Sequence, residues 1–159
     1  MDYTQFLDSN SINWDYTKIM DICKISYILD RFSIKENDKI LDVGTGTGML
    51  IPFVHQHNPK GNIKGTFDKI ILFSVFPLLK HKISTTKKLI ENNLSDDGKL
   101  LIAHPESRKS LNSYIGTNAP IYTPKLLDIY QQRNMFRQAG LYVEEAFEND
   151  RIYYIILHK

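Results

Sequence analysis

The chain has 159 residues, of which 42% are hydrophobic and 24% are charged, and its formal net charge is +2. This length and composition suit one globular domain and exclude wholesale disorder and fibrous rods, while the near-neutral charge gives no argument for binding nucleic acid or membranes. The single cysteine, Cys23, excludes an intrachain disulfide and favours a reducing, cytoplasmic compartment, and no apolar run approaches the roughly 20 residues that span a bilayer.

The first predicted elements lead into a glycine-rich turn. Residues 1–13 are polar with little periodicity, which predicts a loosely held arm. Apolar residues at three- and four-residue spacing then predict a helix over Asp15–Phe32, which Ser11 or Asn13 caps. The short apolar run Lys39–Val43 predicts a strand that ends at the turn.

The later elements alternate between helices and strands. In chain order, we first predict a buried helix over Met49–His55, a strand over Phe67–Phe76 and a helix capped by Ser84. A turn at Asp96–Gly98, a strand over Lys99–Ala103 and a loop or mobile flap over 106–122 follow. The chain then forms a helix from Thr123 to a stop at Gly140 and an antiparallel hairpin of Leu141–Phe147 with Arg151–Leu157. This order predicts a single α/β domain over residues 1–159, with a mostly parallel sheet and helices on both faces.

The turn Gly44-Thr45-Gly46-Thr47-Gly48 is the most informative segment of the sequence. Glycine accepts positive φ angles and lets a ligand approach the backbone closely. The free N–H groups at the start of a following helix can also hold a polar or anionic group. The spacing is G-x-G-x-G, since Met49 stands where the dinucleotide pattern has its third glycine. A purely structural tight turn is the alternative interpretation.

The strand and turn together read ILDVGTGTG, which resembles the first motif of class I S-adenosylmethionine-dependent methyltransferases. FDKIILFSVFPLL resembles the fourth strand of that family with the loop after it, and LSDDGKLLIAHP resembles the fifth strand. The final hairpin is similar to the reversed last strand of the fold. The resemblance implies a truncated Rossmann-like fold, whose sheet of about five strands has the order 1-4-5-7-6 in the family's labels.

The resemblance also implies a function and a set of binding residues. It implies S-adenosylmethionine as the cofactor and transfer of its methyl group to an acceptor that the sequence does not identify. No fixed catalytic residue is implied, because such enzymes mainly align the acceptor nucleophile with the sulfonium methyl. The positions implied to contact the cofactor or to form its turn are Asp42, Gly44, Thr45, Gly46, Gly48 and Ser74.

One block of the family's sequence is missing here. Members place a second and a third strand after the glycine turn; the second ends in an acidic residue that holds the ribose, and the loop after the third holds the adenine. The 18 residues from Met49 to Thr66 are too few, since one βαβ crossover already needs about a dozen residues or more. Asp68 opens the next strand at the wrong end to contact ribose. The alternative function is therefore a non-catalytic scaffold with a binding or regulatory role.

Polar residues after the Lys99–Ala103 strand are the candidates for binding the methyl acceptor. His104, Glu106 and Arg108 follow the carboxyl end of this strand, where open α/β sheets place their ligands. The basic cluster between Lys80 and Lys88 predicts a solvated helix face rather than a nucleic-acid site. The sequence offers no set of metal ligands.

The missing block also has a consequence for assembly. It leaves the Lys39–Val43 strand at a sheet edge, although Ile40-Leu41-Asp42-Val43 is the sequence of an interior strand. An exposed apolar edge strand aggregates unless it is covered or paired. We expect a homodimer that meets near this edge or across the first helix, and whose partner chain supplies part of the cofactor wall. Folding of the arm, residues 1–13, over the edge is the alternative.

Overall fold

Five helices and five strands make up the part of the chain that the computed structural model describes, residues 21–46, 48–56, 65–118 and 125–159. They are α1 (Ile22–Phe32), β1 (Ile40–Asp42), α2 (Ile51–His55), β2 (Phe67–Phe73), α3 (Lys82–Asn93), β3 (Leu94–His104), α4 (Arg108–Asn118), α5 (Ile129–Gln138), β4 (Tyr142–Glu148) and β5 (Tyr153–His158). A 3₁₀ turn over Phe76–Leu78 follows β2. The predicted arm over residues 1–13 lies outside the described ranges, within which no helix is long and apolar enough to cross a membrane.

The strands form one open sheet in the order β1-β2-β3-β5-β4. This is how the family labels 1-4-5-7-6 read when they are converted to chain order. β1 and β3 are both parallel to β2, whereas β5 is antiparallel to both β3 and β4. The sheet is therefore mixed rather than mostly parallel, because the hairpin contributes two of only four pairings. Between β1 and β2 the described residues contain α2 and no strand.

The three inner strands are buried on both faces, as their nearly continuous apolar sequences predict. One core, under α3, α4 and α5, takes from these strands Ile70, Leu72, Leu100, Ile102, Tyr153, Ile155 and Leu157. The other core, under α1 and the segment around α2, takes Ile71, Phe73, Leu101, Ala103, Tyr154 and Ile156. The fold thus has three layers, with the sheet between two layers of helices.

Capping side chains place two helix starts later than predicted. α1 begins after Asp21, whose carboxylate accepts a hydrogen bond from the Lys24 N–H; residues 15–20 lie outside the described ranges. α5 begins after Asp128, which caps it in the same way, and not at Thr123. Gly140, with φ +80°, follows the end of α5, as predicted.

Two further helices differ from their predictions. α2 is short and exposed rather than buried, because it flanks the edge strand β1: Ile51 is 55% exposed, and only the preceding Leu50 is fully buried. α3 begins at Lys82, so Ser84 does not cap it. The Ser84 hydroxyl instead donates a hydrogen bond to the His81 carbonyl within the first turn.

A predicted turn and a predicted loop are regular structure. The Asp96–Gly98 segment belongs to β3, where a bulge shifts the register: Phe67 pairs with Leu94, whereas Lys69 pairs with Lys99. The 106–122 segment contains α4, which begins beside Ser107, whose hydroxyl accepts a hydrogen bond from the Ser110 N–H. Residues 119–122 lie outside the described ranges, and movement of this segment stays a prediction.

The fully buried ring of Phe32 gives a test of the α1 layer. The buried Lys69 ammonium lies 4.8 Å from the ring centroid and donates a hydrogen bond to the Phe32 carbonyl at the end of α1. We expect Phe32→Ala to lower the free energy of unfolding by about 3–5 kcal/mol, because it opens a cavity beside a buried charge. Ile22→Ala, on the exposed side of the same helix, is the control and should cost less than about 1 kcal/mol. Urea denaturation measures both, and equal losses would contradict the packing described.

Candidate functional site

The carboxyl ends of β1, β2 and β3 lie side by side because these strands are parallel. They form one edge of the sheet that runs across the strands and is distinct from the edge strand β1. β1 ends at Asp42 and enters the glycine turn, β2 is followed by Ser74, and β3 ends at His104. The Ser74 N–H donates a hydrogen bond of 2.9 Å to the Ala103 carbonyl, which fixes the end of β2 against β3. The structure thus brings the predicted cofactor residues and one predicted acceptor residue to the same edge.

The glycine turn needs its glycines for two different reasons. Gly44, Gly46 and Gly48 all have positive φ, at +74°, +56° and +83°. A Cβ on Gly44 would lie 2.8 Å from the Val75 side chain, so the turn packs directly against the segment after β2. A Cβ on Gly46 would meet no atom of the described residues within 4 Å, so among them the backbone there faces open space that a ligand can enter. The Gly48 N–H closes the turn on the Thr45 carbonyl at 2.9 Å; Thr47 is outside the described ranges.

The carboxyl group of Asp42 lies partly buried where the strand meets the turn. Burial raises the pKa of this carboxyl, while a hydrogen bond from Thr45 favours the ionised form and opposes the rise. Asp42 and Thr45 therefore act on one another across the turn. The ionised carboxylate would be a partner for a cationic group bound beside it.

Ser74 is in a conformation and an environment that both cost free energy. Its φ is +58°, in the left-handed region, which costs a residue other than glycine roughly 1–2 kcal/mol. Its hydroxyl oxygen is buried and has no hydrogen-bond partner within the described part of the chain, which costs about 1–3 kcal/mol more. Strain and unmade hydrogen bonds of this kind gather at binding sites. Strain and an unmade hydrogen bond at the end of β2 therefore make Ser74 a candidate ligand-binding residue.

The three predicted acceptor residues are differently placed. His104 is completely buried, because its side chain points into the core under α3–α5, where its ring meets that of Tyr153 edge-on at 6.1 Å. Its contact with a methyl acceptor stays a prediction. The Arg108 guanidinium is held 2.9 Å from a Glu148 oxygen, and this hydrogen bond raises the pKa of Arg108. Glu106, which lies between His104 and Arg108 in the sequence, is half-buried.

A groove at the same edge was not predicted from the sequence. It has a volume of about 380 Å³ and lies between α1 and the turn of the β4–β5 hairpin. Residues lining it include Cys23, Lys24, Tyr27, Phe147, Arg151 and Ile152. The residues come from opposite ends of the chain, so only the topology brings them together, and no sequence motif marks them.

The basic cluster is partly engaged within the protein. The Lys82 ammonium donates hydrogen bonds to the Pro77 and Leu79 carbonyls, and burial lowers its pKa. The Lys87 ammonium donates to the Ala139 carbonyl at 3.2 Å. These two lysines therefore stabilise the fold. Among the described residues, no three His, Cys, Asp or Glu side chains are grouped so that they could hold a metal ion.

Comparison with known proteins gives a clear result at the level of fold. No protein-family model matches the sequence, and no curated protein is significantly similar to it. Solved structures are similar. An S-adenosylmethionine-dependent methyltransferase from Aquifex aeolicus matches with a TM-score of 0.61 and 15% identity, over 84% of this chain and 88% of that chain. The fold is that of a class I methyltransferase.

Two further structures share this methyltransferase fold. A chain in the complex between the Haloferax volcanii Trm112 methyltransferase activator and a methyltransferase matches with a TM-score of 0.73 and 12% identity, over 96% of each chain. An O-methyltransferase from neocarzinostatin biosynthesis, solved with S-adenosylmethionine and a naphthoic acid, matches with a TM-score of 0.69 and 12% identity. That match covers 95% of this chain and 57% of the O-methyltransferase chain. At these identities the similarity concerns the fold alone.

The positive φ and the buried, unpartnered hydroxyl of Ser74 both lower stability, which gives a test of the site in the ligand-free protein. Ser74→Gly removes both the strain and the buried unpaired hydroxyl, so we expect it to raise the free energy of unfolding by about 1–3 kcal/mol. Ser74→Ala removes only the hydroxyl and should give a smaller gain. Urea denaturation of the three proteins without ligand measures the effect. A loss of stability in Ser74→Gly would show that the serine supports the fold instead of a ligand.

Proposed function

We propose that the chain is an S-adenosylmethionine-dependent methyltransferase whose glycine turn and Ser74 hold the cofactor. The observation that carries the proposal is the contact of two unusual backbone segments at one sheet edge. The three positive-φ glycines pack, through Gly44 and Val75, beside the strained Ser74 with its buried, unpartnered hydroxyl. Fold neighbours that are S-adenosylmethionine-dependent methyltransferases support the same function.

The residues present fit the amino-acid part of this cofactor. The open space at Gly46 admits a ligand close to the backbone, and the Ser74 hydroxyl gains the hydrogen bond that it lacks. The Asp42 carboxylate would balance an ammonium group beside the turn. When bound, the cofactor supplies an electrophilic methyl group on a sulfonium. The task of the chain is then to hold the acceptor in line with that methyl and to exclude water.

A specific observation favours the second candidate, a non-catalytic scaffold. The sequence has no acidic residue from Met49 to Phe67, so no carboxylate there can take the ribose hydroxyls. Two charge-assisted hydrogen bonds, each worth roughly 1.5–3 kcal/mol, are then unavailable, which weakens cofactor binding by an order of magnitude or more. A scaffold of this kind would bind a partner protein through the same fold. Titration calorimetry with S-adenosylmethionine and with its demethylated product separates the two functions, since the scaffold gives no heat.

Gly46 allows a matched test of the cofactor site. We expect Gly46→Val to abolish cofactor binding in calorimetry while the fold remains, because the new side chain fills the space that the ligand needs. Gly140→Val is the control: Gly140 also has positive φ and open space for a Cβ, but it lies after α5 at the opposite edge of the sheet. Valine at Gly140 strains the backbone as much as valine at Gly46, so the control should lose similar stability but bind cofactor like the wild type. Equal binding by Gly46→Val and the wild type would disprove the site.

We also propose that the chain forms a homodimer through β1. The Lys39 carbonyl and the Val43 N–H bond to β2, so in a parallel ladder the backbone groups of Ile40 and Asp42 point away from it. Within the described ranges these groups have no strand to pair with. Antiparallel pairing of two chains about Leu41 would place Ile40 of each opposite Asp42 of the other. It would also bring Lys39 of one chain beside the glycine turn of the other.

Light scattering tests this assembly. We expect a mass of twice 18.5 kDa at micromolar concentration. Ile40→Pro should give the single-chain mass, because it removes an N–H that faces the open edge while the bonds from Lys39 and Val43 to β2 remain. The single-chain mass for the wild type at every concentration would contradict the homodimer. A larger complex formed only with another protein would indicate a heteromeric partner, as in the Haloferax volcanii complex.

A further inference from the structure

We propose that the groove between α1 and the β4–β5 turn binds the methyl acceptor, and that this acceptor is an aromatic compound carrying an anionic group. The inference rests on the proposed function, since only a methyltransferase has a methyl acceptor. The groove volume of about 380 Å³ lies within the range of about 300–1,000 Å³ that is typical of small-molecule sites. It therefore suits a ligand of one or two rings.

The position of the groove fits an acceptor site. The hairpin turn precedes β5, whose first residue, Tyr153, pairs with His104 at the carboxyl end of β3. The groove is therefore at the same sheet edge as the glycine turn. It is also on the same face as α2, because α1 and the segment around α2 cover one core. β5 is two strands from β2, so roughly 10 Å of sheet edge separates the groove from Ser74. The transferable methyl sits on the sulfonium beside the amino-acid part of the cofactor, so an acceptor of one or two rings must reach from the groove toward Ser74.

The groove has aromatic walls. The ring of Tyr154 lies between those of Tyr27 and Phe147, with centroid distances of 6.5 Å and 5.6 Å. The Tyr154 hydroxyl is already used, since it donates to a Glu145 oxygen at 2.7 Å. The Tyr27 side chain is 46% exposed, so its ring is open to a ligand in the groove. Aromatic rings pair favourably at centroid distances of about 4.5–7 Å, so an aromatic ligand would extend this cluster.

The charge of the groove favours an anion. Lys24 and Arg151 are the only charged residues among those described as lining it. Both share one counterion, since the Asp21 carboxylate lies 3.1 Å from the Arg151 guanidinium and 3.5 Å from the Lys24 ammonium. Two cations on one carboxylate leave a positive charge that a ligand can neutralise. The Lys24 ammonium is also fixed by the Pro105 carbonyl at 3.3 Å.

Among the described residues, the neighbouring acids do not cancel this charge. Glu145 is bound by Arg31, and Glu148 is bound by Arg108. Asp150 is exposed in the hairpin turn but does not line the groove. The Arg151 side chain is 64% exposed and has donors free for a ligand carboxylate besides the one that meets Asp21.

Cys23 supplies a direct readout of the groove. It lines the groove, is exposed, and is the only cysteine of the chain, so its alkylation by a maleimide reports one site. We expect biphenyl-4-carboxylate to slow this alkylation at least about fivefold at saturation, and the neutral biphenyl-4-carboxamide and the non-aromatic octanoate to slow it less than about twofold at the same concentration.

Charge variants sharpen the test. Arg151→Gln should raise the half-protecting concentration of biphenyl-4-carboxylate about fivefold, the effect of one partly exposed ion pair. Arg137→Gln removes the same charge from an exposed site on α5, in the opposite helix layer, and should change nothing. Circular dichroism verifies that both variants fold. Absence of protection by the carboxylate, or equal protection by all three compounds, would overturn the proposal.

The cofactor product separates this proposal from the proposed function. An acceptor and a cofactor must bind together, so protection of Cys23 should persist when S-adenosylhomocysteine occupies the glycine turn. Loss of protection on that binding would overturn the acceptor assignment. If calorimetry detects S-adenosylhomocysteine but Cys23 is not protected, the groove proposal fails and the cofactor site stands. If Cys23 is protected but neither cofactor form binds, the methyltransferase proposal fails and the acceptor assignment fails with it.

Discussion

The parallel pairing of β2 with β1 on one side and β3 on the other is the interaction on which the candidate site depends. Parallel strands end at the same edge, so the glycine turn and Ser74 become neighbours although they are far apart in sequence. At the amino ends of these strands, the Asp68 carboxylate accepts hydrogen bonds from the Lys39 N–H at 2.9 Å and from the Ser95 hydroxyl at 3.0 Å. One side chain at the start of β2 thus fixes the starts of both neighbouring strands. Its role is structural, and it acts at the edge away from the site.

The site is less stable locally than the layers that hold it. Ser74 has a positive φ and a buried hydroxyl without a partner, and burial disfavours the ionised carboxyl of Asp42. Each of these is unfavourable in the ligand-free protein. They persist because β2 and β3 are packed between two cores and cannot relax without exposing apolar surface. A ligand that neutralises the charge or completes the hydrogen bond would recover part of this free energy, which is how a folded scaffold gains affinity for it.

The sequence predicts what depends on neighbouring residues and misses side-chain burial, backbone strain and the groove, which depend on contacts between distant segments. The doubly buried strands and the turn at Gly44 follow from continuous apolar runs and from glycine spacing. The burial of His104 does not, because a polar residue at the end of a strand gives no sign of whether the flanking helices cover it. The positive φ of Ser74 has no signal, since serine is common in loops. α4 forms in a segment predicted as a loop because Ser107 caps it, although its polar composition and Gly116 indicated irregular structure.

The edge position of β1 links assembly to ligand binding. This strand has three residues and carries the glycine turn, yet within the described ranges β2 is its only neighbouring strand. Its order therefore depends on one ladder, on the Asp68 contact and on the packing of Gly44 against Val75. The side chains of Ile40, Leu41 and Val43 also pack against the edges of the two cores. A second strand paired with β1 would restrict the same residues that a cofactor must find ordered. Each binding event would then reduce the entropy cost of the other, and the coupling must be reciprocal. In a chain of this fold with so small an edge strand, the proposed cofactor turn and the proposed assembly surface would share one element, β1.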